Sequence, residues 1–243
     1  MEKIKNVQVN YIDYGKKDGE VFVFLHGWGQ NIDMMKPLGD AFSSNYRIII
    51  IDLPGFGKSE EPTEIWTLYD YVDCIHELLA KLNVNNPILL GHSFGGKISL
   101  LYASMYPIKK LVVCGSPYRK EIKEISTKTK VLKSLKKVPG LNRLEDFAKK
   151  HIGSRDYREA SKLMREIMVE HVNLDITEEV KKIKSSTLII WGDQDEAVPL
   201  ECAYELEKLI SDAGVVLYPG CTHYAYLEAL KKTINVVRVF LES

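Results

Sequence analysis

Short apolar runs alternate with amphipathic segments along most of this chain, and no other feature constrains its fold as strongly. Val21–Leu25 and Arg47–Ile51 are apolar almost throughout, which is typical of strands buried on both faces of a parallel sheet. Asp70–Leu82, like the segment from Leu227 to Leu241, spaces its apolar residues as one helical stripe. The pattern predicts an α/β fold, a mostly parallel central sheet flanked by helices. The predicted strands are Val21–Leu25, Arg47–Ile51, Pro87–Leu90, Lys110–Cys114, Thr187–Trp191 and Val215–Tyr218, with Val7–Tyr14 as an edge strand or half of a hairpin.

The alternation stops between about Pro117 and Lys184, where no buried-strand run occurs. We interpret residues 118–183 as a helical cap inserted into a core made of residues 1–117 and 184–243. Turn signals at Val138-Pro139-Gly140 and Gly153-Ser154 divide the cap into several helices. Its first helix is basic from Arg119 to Lys137. A solvated helix face explains that charge, with steering of anionic substrates as the alternative.

Composition argues against several classes of partner. The 33 basic residues balance the 33 acidic ones, so charge indicates neither nucleic acid nor a membrane surface. No apolar run approaches the roughly 18 residues that span a bilayer, and the start of the chain does not resemble a signal peptide. The four cysteines are scattered without CxxC spacing, which favours reduced thiols. We therefore expect a cytoplasmic protein; its oligomeric state is left open.

The segment Gly91–Gly95 reads GHSFG, directly after the predicted strand Pro87–Leu90 and before a helix-like run, Lys97–Met105. In this strand–turn–helix context GxSxG is the signature of a nucleophile elbow. The turn is tight enough to require glycine on both sides of the serine. It presents the hydroxyl at a helix N-terminus, which favours negative charge. We predict Ser93 as a catalytic nucleophile.

A serine hydroxyl needs a general base, and His223 is the favoured one of the six histidines. It lies in a loop directly after the strand Val215–Tyr218, and catalytic groups of open parallel sheets collect at the carboxyl ends of strands. The other histidines lie in glycine-flanked turns or on predicted helices and are interpreted as loop-supporting, packed or solvated: His26, His92, His76, His151 and His171.

Three carboxylates follow the strand Thr187–Trp191 and could orient the histidine. Asp195 lies deepest in the loop and is favoured. Asp193, next to the strand end, is the alternative, and Glu196 is the least favoured.

Two backbone N–H groups are expected to stabilise a tetrahedral oxyanion. One is that of Phe94, just after the nucleophile. The other is that of Trp28, in the glycine-rich HGWG loop after Val21–Leu25. The alternative for this loop is a tight turn without a catalytic role.

The run Gly57-Lys58-Ser59 looks like the end of a phosphate-binding P-loop. A P-loop requires glycine five positions before its Gly-Lys pair, and Asp52 stands there. We reject nucleotide binding and interpret the segment as a rigid turn on the rim of the site.

Taken together, these motifs resemble the α/β-hydrolase superfamily over nearly the whole chain. They are HGWG at 26–29, DLPGFGKS at 52–59, GHSFGG at 91–96, G-x-x-D-x-x-x-P at 192–199, and His223 followed by Glu228. The resemblance implies a triad of Ser93, Asp195 and His223 with Trp28 and Phe94 as the oxyanion pair. The G-x-x-D-x-x-x-P spacing also favours Asp195 over Asp193 as the acid of the triad.

The activity that the resemblance implies is that of a carboxylesterase (EC 3.1.1), which works through an acyl-enzyme on a small-molecule ester, without metal or cofactor. One alternative is a triad-based C–C hydrolase or lyase, similar to a synthase of menaquinone biosynthesis. For it, Lys97 and Arg119 could bind a substrate carboxylate, although both are interpreted first as surface charges. Another alternative is a non-catalytic ligand receptor on the same fold.

The cap offers one candidate substrate surface. Leu163, Met164, Ile167 and Met168 form an apolar stripe, and methionines adapt to varied ligand shapes. We predict that Met164 and Met168 contact the substrate. The alternative is that they form the core of the cap.

Overall fold

A computed structural model describes residues 1–120 and 160–243. Its strands form a seven-stranded sheet in the order β3-β5-β4-β6-β7-β8-β9 and a separate two-stranded sheet, β1-β2. The strands are β1 (Glu2–Ile4), β2 (Val7–Val9), β3 (Tyr11–Gly15), β4 (Val21–Leu25), β5 (Arg47–Ile51), β6 (Ile88–His92), β7 (Lys110–Cys114), β8 (Thr187–Gly192) and β9 (Ala213–Tyr218).

The large sheet is parallel except at one edge. β3 runs antiparallel to β5, while every other neighbouring pair is parallel. The α/β prediction is therefore confirmed, and the six buried strands occur within two residues of their predicted bounds. The edge position predicted for Val7–Tyr14 is confirmed for its second half, β3, but the segment is not one continuous strand. The segment is split at Asn10, so that β2 pairs with β1 while β3 joins the large sheet.

The described helices cover both faces of the sheet. They are α1 (Ile32–Phe42), α2 (Leu68–Lys81), α3 (Phe94–Met105), α4 (Lys162–Asn173), α5 (Thr177–Val180), α6 (Glu201–Leu209), α7 (Ala225–Glu228) and α8 (Leu230–Glu242). α2 begins two residues before the predicted start, because Thr67 and Asp70 form a reciprocal capping box. The single C-terminal stripe is divided at Ala229 into α7 and α8.

The strands are buried on both faces because side chains of a strand alternate between them. In β4, Val23 and Leu25 join one apolar cluster, and Phe22 and Phe24 join the other. Two cores therefore sandwich the sheet. No helix within residues 1–120 or 160–243 is long and apolar enough to cross a membrane.

Only part of the predicted cap falls within the described residues. The basic helix beyond Lys120, both turn signals and His151 lie outside them. In the described part, the Ile176 N–H donates to the Tyr118 carbonyl at 2.9 Å, so two segments of the predicted cap lie side by side there. The division into a core and a cap of residues 118–183 stays a prediction.

Candidate active site

Ser93 stands on a strained turn between β6 and α3. Its backbone has φ 51° and ψ −113°, a left-handed conformation that non-glycine residues rarely adopt. A Cβ at Gly91 would lie 2.4 Å from the Gly95 carbonyl oxygen, and one at Gly95 would lie 2.4 Å from that of Leu25. Both flanking glycines are thus required by close backbone contact, as the sequence predicts for an elbow.

His223 and Asp195 meet above the sheet although 28 residues separate them. Nδ1 of His223 lies 2.8 Å from Oδ2 of Asp195. The other carboxylate oxygen accepts the N–H groups of Ala197 and Val198 at 2.8 and 2.9 Å. The Asp195 side chain is only 1% exposed. The carboxylate is therefore fixed in position and holds the imidazole with Nε2 left for a substrate or nucleophile.

Asp193 has a different role in the same loop. Its side chain is exposed, and its Oδ1 accepts the Gly220 N–H at 2.8 Å, which ties the β8 loop to the β9 loop. Glu196 is exposed as well. The structure therefore brings Asp195 to the histidine, and neither of the alternatives.

The His223 loop is built by its neighbours. Glu228 accepts both the N–H of Thr222, at 2.7 Å, and its hydroxyl, at 2.5 Å. Gly192 lets the loop approach β8, because a Cβ there would lie 2.2 Å from the Cys221 carbonyl oxygen. These contacts give a structural reason for the glycine and the glutamate of the motifs.

His92 links the elbow to the His223 loop. Its Nε2–H donates to the His223 carbonyl at 2.9 Å, and the two rings lie 4.7 Å apart. Burial lowers the pKa of His92 to about 3, so the ring is neutral and keeps this donor.

No hydrogen bond joins Ser93 Oγ to any residue that the structure describes. Such contacts are often long before substrate binds.

The loop before α1 is fixed by His26. Its Nδ1–H donates to the Gly27 carbonyl at 2.7 Å, and its Nε2 accepts the Leu53 N–H at 3.0 Å. The Gly95 N–H donates to the His26 carbonyl at 3.1 Å, which joins this loop to the elbow. The backbone N–H groups of Trp28 and Phe94 donate to no acceptor within residues 1–120 or 160–243. Both remain available to an oxyanion.

The Asp52 carboxylate accepts backbone N–H groups around the turn that resembles the end of a P-loop. Its buried carboxylate accepts the N–H of Ile32 at 2.8 Å and that of Lys58 at 2.9 Å. A Cβ at Gly57 would lie 2.2 Å from the carboxylate carbon of Asp52. The N–H groups of Gly55, Phe56 and Ser59 donate to the carbonyls of Glu60, Leu53 and Phe56. No group of three or more potential metal ligands occurs among the described residues.

Lys97 is not the surface charge that the sequence suggested. It is 1% exposed, and its ammonium donates to the carbonyls of His171, at 2.7 Å, and Leu174, at 2.6 Å. Burial lowers its pKa to about 8. Arg119 remains a surface charge, with its side chain 32% exposed, and donates twice to the Glu205 carboxylate, at 2.9 and 3.1 Å. The prediction for Lys97 was wrong because the two carbonyls that bind its ammonium lie on an element distant in sequence.

Helix α4 lies over the site with its apolar stripe turned toward the core. Met164 is buried, and a Cβ at Gly55 would lie 2.4 Å from its methyl carbon. Met168 is half-buried. His171 stacks on Trp28 at 5.0 Å between ring centroids and lies 4.4 Å from Phe94. The sequence predicts a packed or solvated histidine at 171, and the ring is packed. A single histidine on an amphipathic helix gives no signal that it reaches the loop that holds Trp28.

This chain is similar to known proteins in sequence and in fold. A family model described as the alpha/beta hydrolase fold matches residues 20–148. Lipase 1 of Psychrobacter immobilis is 28% identical, covering 95% of this chain and 79% of its own. The 2-hydroxy-6-oxo-6-(2'-aminophenyl)hexa-2,4-dienoic acid hydrolase of Metapseudomonas resinovorans is 23% identical, covering 97% and 88%. The enol-lactonase from Burkholderia xenovorans LB400 superposes with a TM-score of 0.80 at 21% identity, over 100% and 99% of the two chains. The likeness to this structure concerns the fold alone.

Proposed function

Because the chain belongs to the α/β-hydrolase family, we propose that this hydrolase acts on small carboxylic esters, with Ser93 as nucleophile, His223 as general base and Asp195 orienting the base. The observation that carries the proposal is the 2.8 Å contact between His223 Nδ1 and Asp195 Oδ2. A carboxylate in this place fixes the tautomer in which Nε2 can accept a proton.

Acylation begins when Ser93 Oγ attacks the ester carbonyl carbon and His223 Nε2 takes the hydroxyl proton. The carbonyl oxygen becomes an oxyanion, which the N–H groups of Trp28 and Phe94 stabilise. Collapse expels the alcohol, protonated by His223, and leaves an acyl group on Ser93. Asp195 stays ionised and stabilises the imidazolium.

Deacylation repeats these steps with water. His223 Nε2 removes a proton from the water, which attacks the acyl carbon, and the second oxyanion occupies the same pair of donors. Collapse returns the proton to Ser93 Oγ and releases the carboxylic acid. All of these groups lie on core loops, so the proposed chemistry depends on the described residues.

The C–C hydrolase or lyase remains the second candidate, because a relative carries such a name. The two cations that the sequence suggested for a carboxylated substrate are already engaged. Lys97 binds backbone carbonyls, and Arg119 binds Glu205. Ester hydrolysis needs no such cation, which makes it the better-supported function. A receptor without turnover has no support from the Asp195–His223 pair.

A panel of chromogenic esters of increasing acyl length tests the proposal. We expect the wild type to hydrolyse short or medium esters, and Ser93→Ala to lower kcat by about 10⁴-fold or more with an unchanged melting temperature. A fluorophosphonate probe should label the wild type at Ser93 alone. Ser104→Ala is the matched control, since Ser104 lies on α3 and donates to the Leu101 carbonyl. Labelling that survives Ser93→Ala would exclude Ser93 as nucleophile, and an absence of ester turnover would transfer the proposal to C–C bond chemistry.

A further inference from the structure

His171 is a buried histidine whose ring nitrogens make no hydrogen bond to another residue within 1–120 and 160–243. Five buried side-chain polar atoms have no hydrogen-bond partner among the described residues, and two of them are Nδ1 and Nε2 of this ring. The residue is 6% exposed. Buried polar groups are normally paired, because an unmade hydrogen bond is unfavourable. An imidazole whose nitrogens no other residue of 1–120 or 160–243 pairs therefore has capacity for a further hydrogen-bond partner.

The ring lies against the two residues proposed to bind the oxyanion. It stacks on the Trp28 indole with planes 27° apart, and it lies 4.4 Å from the Phe94 ring. A phenylalanine would pack equally well between two aromatic rings, so packing alone gives no reason for an imidazole. Its place beside the oxyanion pair puts the ring next to the acyl group of a bound ester.

Helix α4 is held so that this ring keeps its place. The buried ammonium of Lys97, on the elbow helix α3, donates to the carbonyl of His171 itself and to that of Leu174. These carbonyls belong to the last turn of α4 and its cap, where a cation is favourable. His171 and Ser93 are thus connected through one rigid element. A side chain held by a buried cation from the nucleophile helix is pre-organised for binding.

The charge state of the ring limits what it can bind. Burial and the nearby Lys97 ammonium lower the pKa of His171 to about 3, so the imidazole is neutral. A neutral imidazole has one N–H donor and one acceptor nitrogen. A hydroxyl group also donates and accepts, so it matches either nitrogen in either tautomer. A carboxylate accepts only and suits a protonated imidazole.

We propose that His171 is a specificity-determining residue that hydrogen-bonds an uncharged hydroxyl substituent on the acyl portion of the substrate. The inference deepens the proposed function and rests on it for the placement of the acyl group. It predicts that hydroxyacyl esters are better substrates than the corresponding plain acyl esters.

Binding measured without turnover tests this inference separately from catalysis. The full-length Ser93→Ala chain is titrated by calorimetry with the anilides of butyric acid and of 2-, 3- and 4-hydroxybutyric acid. We expect one hydroxylated isomer to bind about tenfold tighter than the butyric anilide, the effect of one added hydrogen bond in a buried site. In Ser93→Ala/His171→Phe, that preference should fall below about twofold. His171→Gln, which keeps a donor and an acceptor, should retain part of it.

The control is His76→Phe in the same background. His76 stacks on Tyr106 at 3.8 Å on the α2–α3 surface, so its loss should leave the preference unchanged. Equal binding of all the anilides, or a preference that survives His171→Phe, would overturn the inference. Tightest binding of the succinic monoanilide, which carries a carboxylate, would overturn it in favour of anion recognition. If the wild type hydrolyses no ester while the anilide preference depends on His171, the proposed function fails and the binding role stands.

Discussion

The floor and the roof of the site differ in how their buried polar side chains are hydrogen-bonded. The floor comprises the loops 26–30, 91–96, 193–199 and 219–223, and the roof is helix α4. In the floor, His26 has both ring nitrogens paired, and Asp195 uses both carboxylate oxygens. In the roof, neither ring nitrogen of His171 has a partner among the described residues. The His26 ring and the Asp195 carboxylate of the floor are thus fixed by the chain itself, whereas no other described residue pairs the His171 ring of the roof.

We relate this difference to two tasks of the site, the chemical reaction and the recognition of the substrate. Proton transfer and oxyanion stabilisation need groups fixed before the substrate arrives, because reorganisation during the reaction would raise the barrier. Recognition benefits from groups whose hydrogen bonds only the correct ligand completes, since an analogue without the matching group leaves them unpaired. Changes in the floor should therefore affect the rate for every substrate, and changes in the roof should affect the choice among substrates.

The largest expected effect separates the two carboxylates of one floor loop. Asp195→Asn should lower kcat by up to about 10⁴-fold, because the amide leaves His223 in the wrong tautomer. Asp193→Asn should lower it far less, since the Asp193 carboxylate accepts the Gly220 N–H and the Gln194 side-chain amide rather than His223. Steady-state kinetics of both purified variants on one ester make the comparison. An active Asp195→Asn beside an inactive Asp193→Asn would contradict the assigned triad.

The two methionines of the roof should respond differently. Met164 packs on Gly55 and is 2% exposed, so Met164→Ala should lower the free energy of unfolding by about 2–5 kcal/mol. Met168 is half-buried on the same stripe, so Met168→Ala should change the preferred acyl length with a smaller loss of stability. Urea denaturation and the ester panel measure the two effects. Loss of stability without altered preference in both variants would assign the stripe to cap packing alone.

Replacing one histidine of each region compares paired with unpaired nitrogens. His26→Phe removes the partners of the Gly27 carbonyl and the Leu53 N–H and should lower the free energy of unfolding by about 2–4 kcal/mol. His171→Phe breaks no hydrogen bond in the described structure and should change it by less than about 1 kcal/mol. Denaturant titration at pH 7 measures both. A loss at His171 as large as that at His26 would show that the roof imidazole has a structural partner.

The smallest expected effect is a dependence of stability on pH. The pKa of Lys97 is about 8 in the folded protein and 10.5 unperturbed, so between these values the unfolded chain binds more protons. Stability from this group should therefore rise with pH in that window, by about 1 kcal/mol between pH 8 and pH 9. Lys97→Met should remove the rise. The measurement is the difference between wild type and variant in urea denaturation at each pH, and a constant difference would contradict the lowered pKa.

Most of the floor could be predicted from the sequence because its determinants are local. The glycines at 91 and 95 are required by a turn of five residues, and that turn follows a strand recognisable from its apolar run. Loops at the carboxyl ends of neighbouring parallel strands lie at one edge of the sheet, so Ser93, Asp195 and His223 could be grouped without coordinates. The preference for Asp195 over Asp193 came from motif spacing, and the geometry agrees with it.

The sequence by itself determined the sheet, the elbow and the identity of the residues proposed for the chemistry, since each depends on apolar periodicity or on a turn within a few residues. Only the tertiary structure decided the hydrogen-bond partners of Lys97 and Arg119 and the burial of His171. The partners of Lys97 are more than 70 positions away, and Glu205, the partner of Arg119, is 86 away. The burial that neutralises His171 comes from Trp28 and Phe94 on other elements. Burial and pairing are properties of the packed molecule, because side chains distant along the chain exclude water from a charged or polar group only once the chain has folded.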